Sequence, residues 1–202
     1  MEIICQPLGP VQANCYIVIK NQHALVIDPG DIFPELSIIL KEKKVKLDAI
    51  LLTHAHFDHI GGVDALVKEF SVPVYLHPAE FSFLNDSRLN ASQSFYQDIH
   101  CHANPEAFKE GIQTIGKFDV DVKFTPGHSV GSVTIGLEDC LFTGDTLFQG
   151  SVGRMDLPTG NVLQMKNSIA YFKSLDGSFK IYPGHGPSSI LDYEKKWNPY
   201  FN

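Results

Sequence analysis

Short apolar runs in this chain end, one after another, in turns that carry metal-binding types of side chain, and a fold that serves them must bring those turns together. The clearest case follows Ala49-Ile50-Leu51-Leu52, where the next residues are Thr53-His54-Ala55-His56-Phe57-Asp58-His59. Further along stand His128 in Pro126-Gly127-His128, Asp145 in Thr143-Gly144-Asp145-Thr146 and His185 in Pro183-Gly184-His185-Gly186. These seven imidazoles and carboxylates are too many for one ion; two hard-to-borderline cations sharing a carboxylate would use them all. Residues two apart in an extended segment point the same way, so His54 and His56 can grip one ion together. Asp58 and His59, beyond a bend, face a second position. A histidine after Pro-Gly is by itself more often structural than a ligand, and only the cluster makes His128 and His185 candidates. Gly127 would let the backbone pass close to an ion. Asp145 has lone pairs on both oxygens and can bridge two cations.

The rest of the chain alternates strand and helix signals. Ile3 to Cys5, Cys15 to Lys20 and Ala24 to Ile27 suit strands, with Asn21-Gln22 as a hairpin turn. Pro34 suits the first turn of a helix that carries Leu36, Ile39 and Leu40 at helical spacing and closes on lysines. Leu47 to Leu52 is nearly all apolar, as expected of a strand covered on both faces. Gly61-Gly62 opens a helix faced by Val63, Leu66, Val67 and Phe70, and Val72 to Leu76 is the next strand. From Pro78 to about Gly111 the signal is mixed and suits one or two short helices with long loops. Strands follow at Asp121 to Thr125, Ser132 to Leu137, Cys140 to Thr143 and Lys180 to Tyr182, with helices at Val162 to Phe172 and Ile190 to Lys196. This order predicts an α+β or α/β chain with two mixed sheets packed face to face and helices outside.

Composition narrows the function classes. With 202 residues, 44% of them hydrophobic, the chain can bury a large core as one domain. A net charge of −7 argues against a nucleic-acid surface, and two divalent ions would offset up to four of those charges. No apolar run approaches the roughly 18 residues of a membrane span, and the start Met1-Glu2-Ile3-Ile4-Cys5-Gln6-Pro7 is unlike a secretory signal. Cys5, Cys15, Cys101 and Cys140 lack a paired spacing; Cys5, Cys15 and Cys140 are expected as buried thiols, and the expected location is cytoplasmic.

The ligand motifs, with Gly9-Pro10, Asn14-Cys15-Tyr16, Ile27-Asp28-Pro29-Gly30, Gly144-Asp145-Thr146-Leu147-Phe148 and Gly150 to Pro158, resemble the metallo-β-lactamase fold superfamily, specifically its glyoxalase II-like branch. These motifs spread over almost the whole chain. The resemblance implies a four-layer αββα sandwich over residues 1–202 and a dinuclear site. Metal one would take His54, His56 and His128, and metal two Asp58, His59 and His185, with Asp145 bridging them opposite a water or hydroxide. Asp58 is expected to serve catalysis as well as metal binding. Two ions roughly 3.5–4 Å apart would lower the pKa of a shared water toward neutrality and supply a hydroxide nucleophile. A thiolate leaves without strong acid assistance, since a thiol has a pKa near 8.5. Thioester hydrolysis is therefore the expected activity, with a small-molecule substrate and no nucleic acid or membrane partner. Nitrogen and oxygen ligands suit Zn2+ first, with iron or manganese as alternatives.

Glyoxalase II enzymes carry a C-terminal helical extension that contacts glutathione, whereas this chain runs only 17 residues beyond His185. Substrate affinity is then expected from the long loops or across a homo-oligomer interface. Alternatives on the same fold are a persulfide dioxygenase with one iron, a hydrolase of another ester or lactone, or a non-catalytic metal-binding module. Arg154 is a candidate substrate contact, against the plainer expectation of an Arg154–Asp156 pair pinning its loop. Phe148 is expected to be packing. Thr53 and Asp28 are candidates to hold ligand imidazoles. His100-Cys101-His102 is expected to be an exposed or adventitious cluster, and His23 and His77 structural.

Overall fold

The period-two alternation of side-chain direction along the strands generates the architecture. The computed structural model describes residues 1–201, and Asn202 lies outside the described residues. Strands β1 (Glu2–Leu8), β2 (Ala13–Lys20), β3 (His23–Ile27), β4 (Lys46–Leu51), β5 (Val74–Leu76) and β6 (Glu106–Ala107) form one six-stranded sheet in chain order. Its first three strands are antiparallel, and β3 through β6 are parallel. Strands β7 (Gly111–Ile115), β8 (Phe118–Phe124), β9 (Val133–Leu137), β10 (Cys140–Gly144), β13 (Lys180–Pro183) and β14 (Ser189–Ile190) form the second sheet, ordered β14-β13-β10-β9-β8-β7. A small hairpin, β11 (Leu147–Phe148) with β12 (Ser151–Val152), follows Asp145. The helices are α1 (Glu35–Lys43), α2 (Phe57–Ile60), α3 (Val63–Phe70), α4 (Val162–Ser174) and α5 (Leu191–Trp197), and none of them is long and apolar enough to cross a membrane.

Alternate residues of one strand feed different cores. Ile17, Ile19, Ala24, Val26 and Ile50 pack outward with Leu36, Leu40, Val63 and Leu66 of α1 and α3. Their neighbours Tyr16, Val18, Leu25, Ile27 and Leu51 pack inward against Val120, Val122, Val133, Ile135 and Phe142 of the second sheet. On the far face Leu141 and Ile181 meet Met165, Ile169 and Phe172 of α4 and Leu191 of α5. Two mixed sheets flanked by helices make the αββα sandwich, and burial on both faces explains why β2 to β4 read as continuous apolar runs.

Some elements depart from the sequence expectation. Strand β7 and the first half of β8 form a hairpin just after the mixed stretch, where no strand was expected. Ile112 is 79% exposed on the end strand β7, so its residues lack an apolar alternation. Asp58 and His59 sit on the one-turn helix α2 rather than merely beyond a bend. Cys5 is exposed, because β1 forms an edge of its sheet, while Cys15, Cys101 and Cys140 are buried free thiols.

Phe142 is fully buried between the sheets, edge-on to Tyr16 at 5.2 Å and stacked on Tyr182 at 5.1 Å. Phe142→Ala is expected to lower unfolding free energy by about 3–5 kcal/mol in urea titrations. A loss below about 1 kcal/mol would contradict this inter-sheet packing.

Candidate metal centre

All seven ligand candidates lie along one edge of the sandwich, each just past a strand: His54 and His56 after β4, His128 after β8, Asp145 after β10 and His185 after β13, with Asp58 and His59 on α2. The two sheets are tied there, because Val133 N donates to Thr53 O at 2.8 Å. Three groups bring their ligand atoms within 4.8 Å of one another: His54/His56/His128, His54/His59/Asp145 and Asp58/His59/His185. Asp145 sits between them, with Oδ1 3.5 Å from His59 Nε2 and Oδ2 3.5 Å from His128 Nε2 and 3.6 Å from His185 Nε2. Asp58 Oδ2 is 3.1 Å from His185 Nε2 and 3.7 Å from His59 Nε2.

The surroundings aim these side chains. Asp28 holds a left-handed backbone, φ 51°, a costly conformation for a non-glycine residue. From there Oδ1 accepts Thr53 N at 2.7 Å and Oδ2 accepts Thr53 Oγ1 at 2.6 Å. With its proton committed to Asp28, Thr53 Oγ1 accepts from His54 Nδ1 at 3.1 Å, which leaves the His54 Nε2 lone pair free. His128 Nδ1 donates to Arg154 O at 2.7 Å, so its Nε2 carries a lone pair, which accepts from His56 Nδ1 at 2.8 Å. His185 is aimed through its loop: Asn14 Nδ2 donates to Pro183 O and Gly186 O, and Tyr16 OH to Pro183 O at 2.6 Å. These contacts give the Asn14-Cys15-Tyr16 motif its physical reason.

Glycine is required where loops crowd the cluster, as at Gly184. A Cβ on Gly184 would fall 2.1 Å from Asp145 Oδ1 and 2.9 Å from His59 Cε1. Gly127, by contrast, is needed for packing against α4, since its Cβ would lie 2.5 Å from the Met165 backbone; the expected approach to an ion is not the reason.

Glu80 is the residue that sequence reasoning missed. It lies fully buried in the 3-10 helix Pro78–Asn85, inside the stretch that carried no clear pattern. Its Oε2 accepts Ala55 N at 2.6 Å, between His54 and His56, and its Oε1 accepts Gly131 N at 2.8 Å and Ser129 Oγ beside His128. One carboxylate therefore couples the two loops that carry the His54/His56/His128 group. Burial pushes this carboxyl up from its ordinary value, while the three donors work against that. No spacing marks such a role; an acidic residue in an otherwise apolar segment was the only signal.

Electrostatics divides the set. Burial, with neighbouring imidazoles adding to it, holds His54 and His56 well below the ordinary histidine value, so both are neutral donors. Burial also acts against charge on His59, but Asp58, Asp28 and Asp145 outweigh it and lift this group to about 10. His185 is raised too: burial opposes charge there, and the Asp58 hydrogen bond and Asp145 overcome it. Asp58 is held below the usual carboxylate range; burial would raise it, but His59 and His185 prevail.

A metal fits this donor set on an internal criterion. The buried side-chain nitrogens and oxygens without a protein hydrogen bond, among the described residues, are His54 Nε2, His56 Nε2, both nitrogens of His59 and Asp145 Oδ1. Although His59 Nδ1 approaches Asp28 Oδ2 at 3.0 Å, the pair is not aligned as a hydrogen bond. Buried polar atoms are normally satisfied, and these exceptions all fall within the candidate set.

A cleft of about 270 Å³ lies over the cluster, lined by Val11, Phe57, Phe95, Phe148 and Leu157 as well as ligand candidates and Arg154. Arg154 makes the expected pair, Nε to Asp156 Oδ1 at 2.7 Å and Nη2 to Oδ2 at 2.6 Å. Phe148, expected as packing alone, faces the cleft edge-on to His185 at 6.1 Å. Its hairpin is pinned from the C-terminal side: Glu194 accepts Gly150 N at 2.8 Å, and Asn198 Nδ2 donates to Ser151 O at 3.1 Å. The other histidines have structural roles, as expected: His23 pairs with Asp48 at 2.9 Å, and His77 Nδ1 accepts Ala79 N. His100 contacts Asp98 and His102 contacts Asp64, both away from the cleft and exposed.

A family model described as the metallo-beta-lactamase superfamily matches residues 8–185. The chain is 40% identical over 202 residues to YqgX of Bacillus subtilis (strain 168), named a probable metallo-hydrolase, covering 97% of this chain and 95% of that one. Among solved structures it resembles BLEG-1, titled a B3 metallo-beta-lactamase, with TM-score 0.94, 40% identity and 100% of both chains covered. TTHA1623, solved in a di-iron-bound form, matches with TM-score 0.85 and 36% identity over 98% of this chain and 99% of that one.

Metal removal gives one test. Ions that bind only the folded chain stabilise it by RT ln(1 + [L]/Kd), about 4 kcal/mol at a thousand times Kd. Chelation is expected to lower the melting temperature by several degrees, and an unchanged melting temperature would contradict the donor assignment. Glu80→Gln tests the coupling carboxylate: cobalt titration is expected to weaken one of two binding steps by about 10–100-fold, the range for lost outer partners. Equal weakening of both steps, or of neither, would contradict it.

Proposed function

The chain belongs to the metallo-beta-lactamase superfamily, and from that premise we propose that it hydrolyses thioesters in the manner of the glyoxalase II-like branch. Its centre would hold two divalent ions, one on His54, His56 and His128 and one on Asp58, His59 and His185, with Asp145 shared between them. Zinc is the first choice for this nitrogen and oxygen donor set, and iron the second, in keeping with the di-iron form of a similar protein.

The observation that carries the reading is the inventory of the cleft wall. Apart from His56, Asp58, His128, Asp145 and His185, its lining offers one ionisable side chain, Arg154, which is engaged by Asp156. Arginine does not release a proton under ordinary conditions. The cleft therefore has no independent acid to protonate a departing amine or alkoxide. A thiolate needs none, because its conjugate thiol has a pKa near 8.5.

When bound, the ions would acidify a water and polarise the substrate carbonyl. The chain's own part is placement. Asp145 holds the two groups at a fixed separation, and Asp28 with Thr53, Arg154 O and Glu80 keep the imidazole lone pairs convergent. Asp58, ionised on the cleft wall, can hold an ion and accept a hydrogen bond from the attacking water. Water adds to the carbonyl carbon, the C–S bond breaks with its electron pair on sulfur, and one proton goes to solvent. The products are a carboxylate and a thiol.

Metal-loaded protein is expected to hydrolyse simple thioesters, to lose that activity with a chelator and regain it on adding zinc. The matching unstrained amide should react at least about 100-fold more slowly, the typical contribution of a general acid. No turnover of any thioester by protein with two bound ions would contradict the proposal.

A further inference from the structure

Around the polar cluster the cleft is walled with carbon. Val11, Phe57, Ala91, Phe95, Phe148 and Leu157 enclose the space above the ligand candidates. The Phe57 and Phe95 rings pack with centroids 5.0 Å apart, and Phe95 remains 39% exposed at the mouth. Across the cleft Phe148 stands edge-on to His185. A large apolar surface held open beside a reactive centre is where a hydrocarbon group gains by burial, about 25 cal/mol per Å².

Charge works in the same direction. Apart from the ligand candidates, Arg154 is the one charged side chain on the lining, and both oxygens of Asp156 occupy its guanidinium. A peptide-like thiol bearing free carboxylate and ammonium groups would lose hydration against phenyl rings, with few partners outside the ligand candidates beyond Arg154, already paired with Asp156. The volume of about 270 Å³ equals roughly nine water volumes of about 30 Å³ each, room for an acyl group of about eight non-hydrogen atoms.

Resting on the thioester reading above, we infer that the substrate carries a compact hydrocarbon acyl group, aliphatic or aromatic, seated against Phe57, Phe95 and Phe148. Recognition is by the acyl half, and the thiol half contributes little. Phe95 is then a specificity-determining residue: its loss should penalise large acyl groups more than small ones.

The test uses zinc-loaded full-length protein and two readouts. Calorimetry measures binding of acetate, butyrate, hexanoate, phenylacetate and lactate, which needs no turnover. Kinetics compares the N-acetylcysteamine thioesters of the same acids with S-lactoylglutathione. Affinity is expected to rise about fourfold per methylene from acetate to hexanoate, equivalent to ~0.8 kcal/mol, and kcat/KM to follow. Phe95→Ala should reduce the preference for phenylacetyl over acetyl about tenfold. Flat carboxylate affinities, or a tenfold preference for the glutathione thioester, would overturn the inference. Inert thioesters with carboxylate affinity still rising would sink the hydrolase reading and support the hydrocarbon cleft.

Discussion

Everything at the working edge of this fold answers to one constraint: polar groups that would be better off in water are buried with their lone pairs aimed at each other. His54, His56, His59, His128 and Asp145 are all buried, and five of the side-chain atoms in this set have no protein partner. Such an arrangement persists only where the scaffold over-determines it. The scaffold here is two sheets with three separate apolar cores, joined at the ligand edge by the Val133 to Thr53 hydrogen bond.

The supporting residues divide the labour by group. Asp28 and Thr53 orient His54 and approach His59, while Glu80 couples the loops of His56 and His128. Asn14 and Tyr16 reach from the first sheet to the His185 loop in the second. Glu194 and Asn198 brace the hairpin that presents Phe148 to the cleft. The polar cluster and its apolar roof share some of the chain, since Phe57 stands between His56 and Asp58, while Phe95 and Phe148 come from separate segments.

Much of this was legible in the sequence, for reasons that particular residues make clear. Histidines two apart after an apolar run announce both a strand end and a shared target, whereas the close approach expected at Gly127 falls at Gly184 instead. Strands β2 to β4 were legible because burial on both faces leaves their central residues apolar, as in Ile17 to Ile19, Ala24 to Ile27 and Ala49 to Leu51. Strand β7 was not, since an end strand with Ile112 exposed has no alternation to detect, whereas the alternation Phe118-Asp119-Val120-Asp121-Val122 at the start of β8 was legible and was passed over. Glu80 was silent because its partners are backbone N–H groups and a serine hydroxyl, brought close only by folding. Cys5 shows the converse error: apolar neighbours in sequence do not bury a residue on an edge strand.

The central claim is that seven side chains form one centre for two ions with Asp145 between them. Anomalous diffraction from crystals of the metal-loaded protein tests it most directly. Two peaks are predicted, one among His54, His56 and His128 and one among Asp58, His59 and His185, each within bonding distance of an Asp145 oxygen. A single fully occupied peak, or two peaks with Asp145 bound to only one of them, would contradict the account.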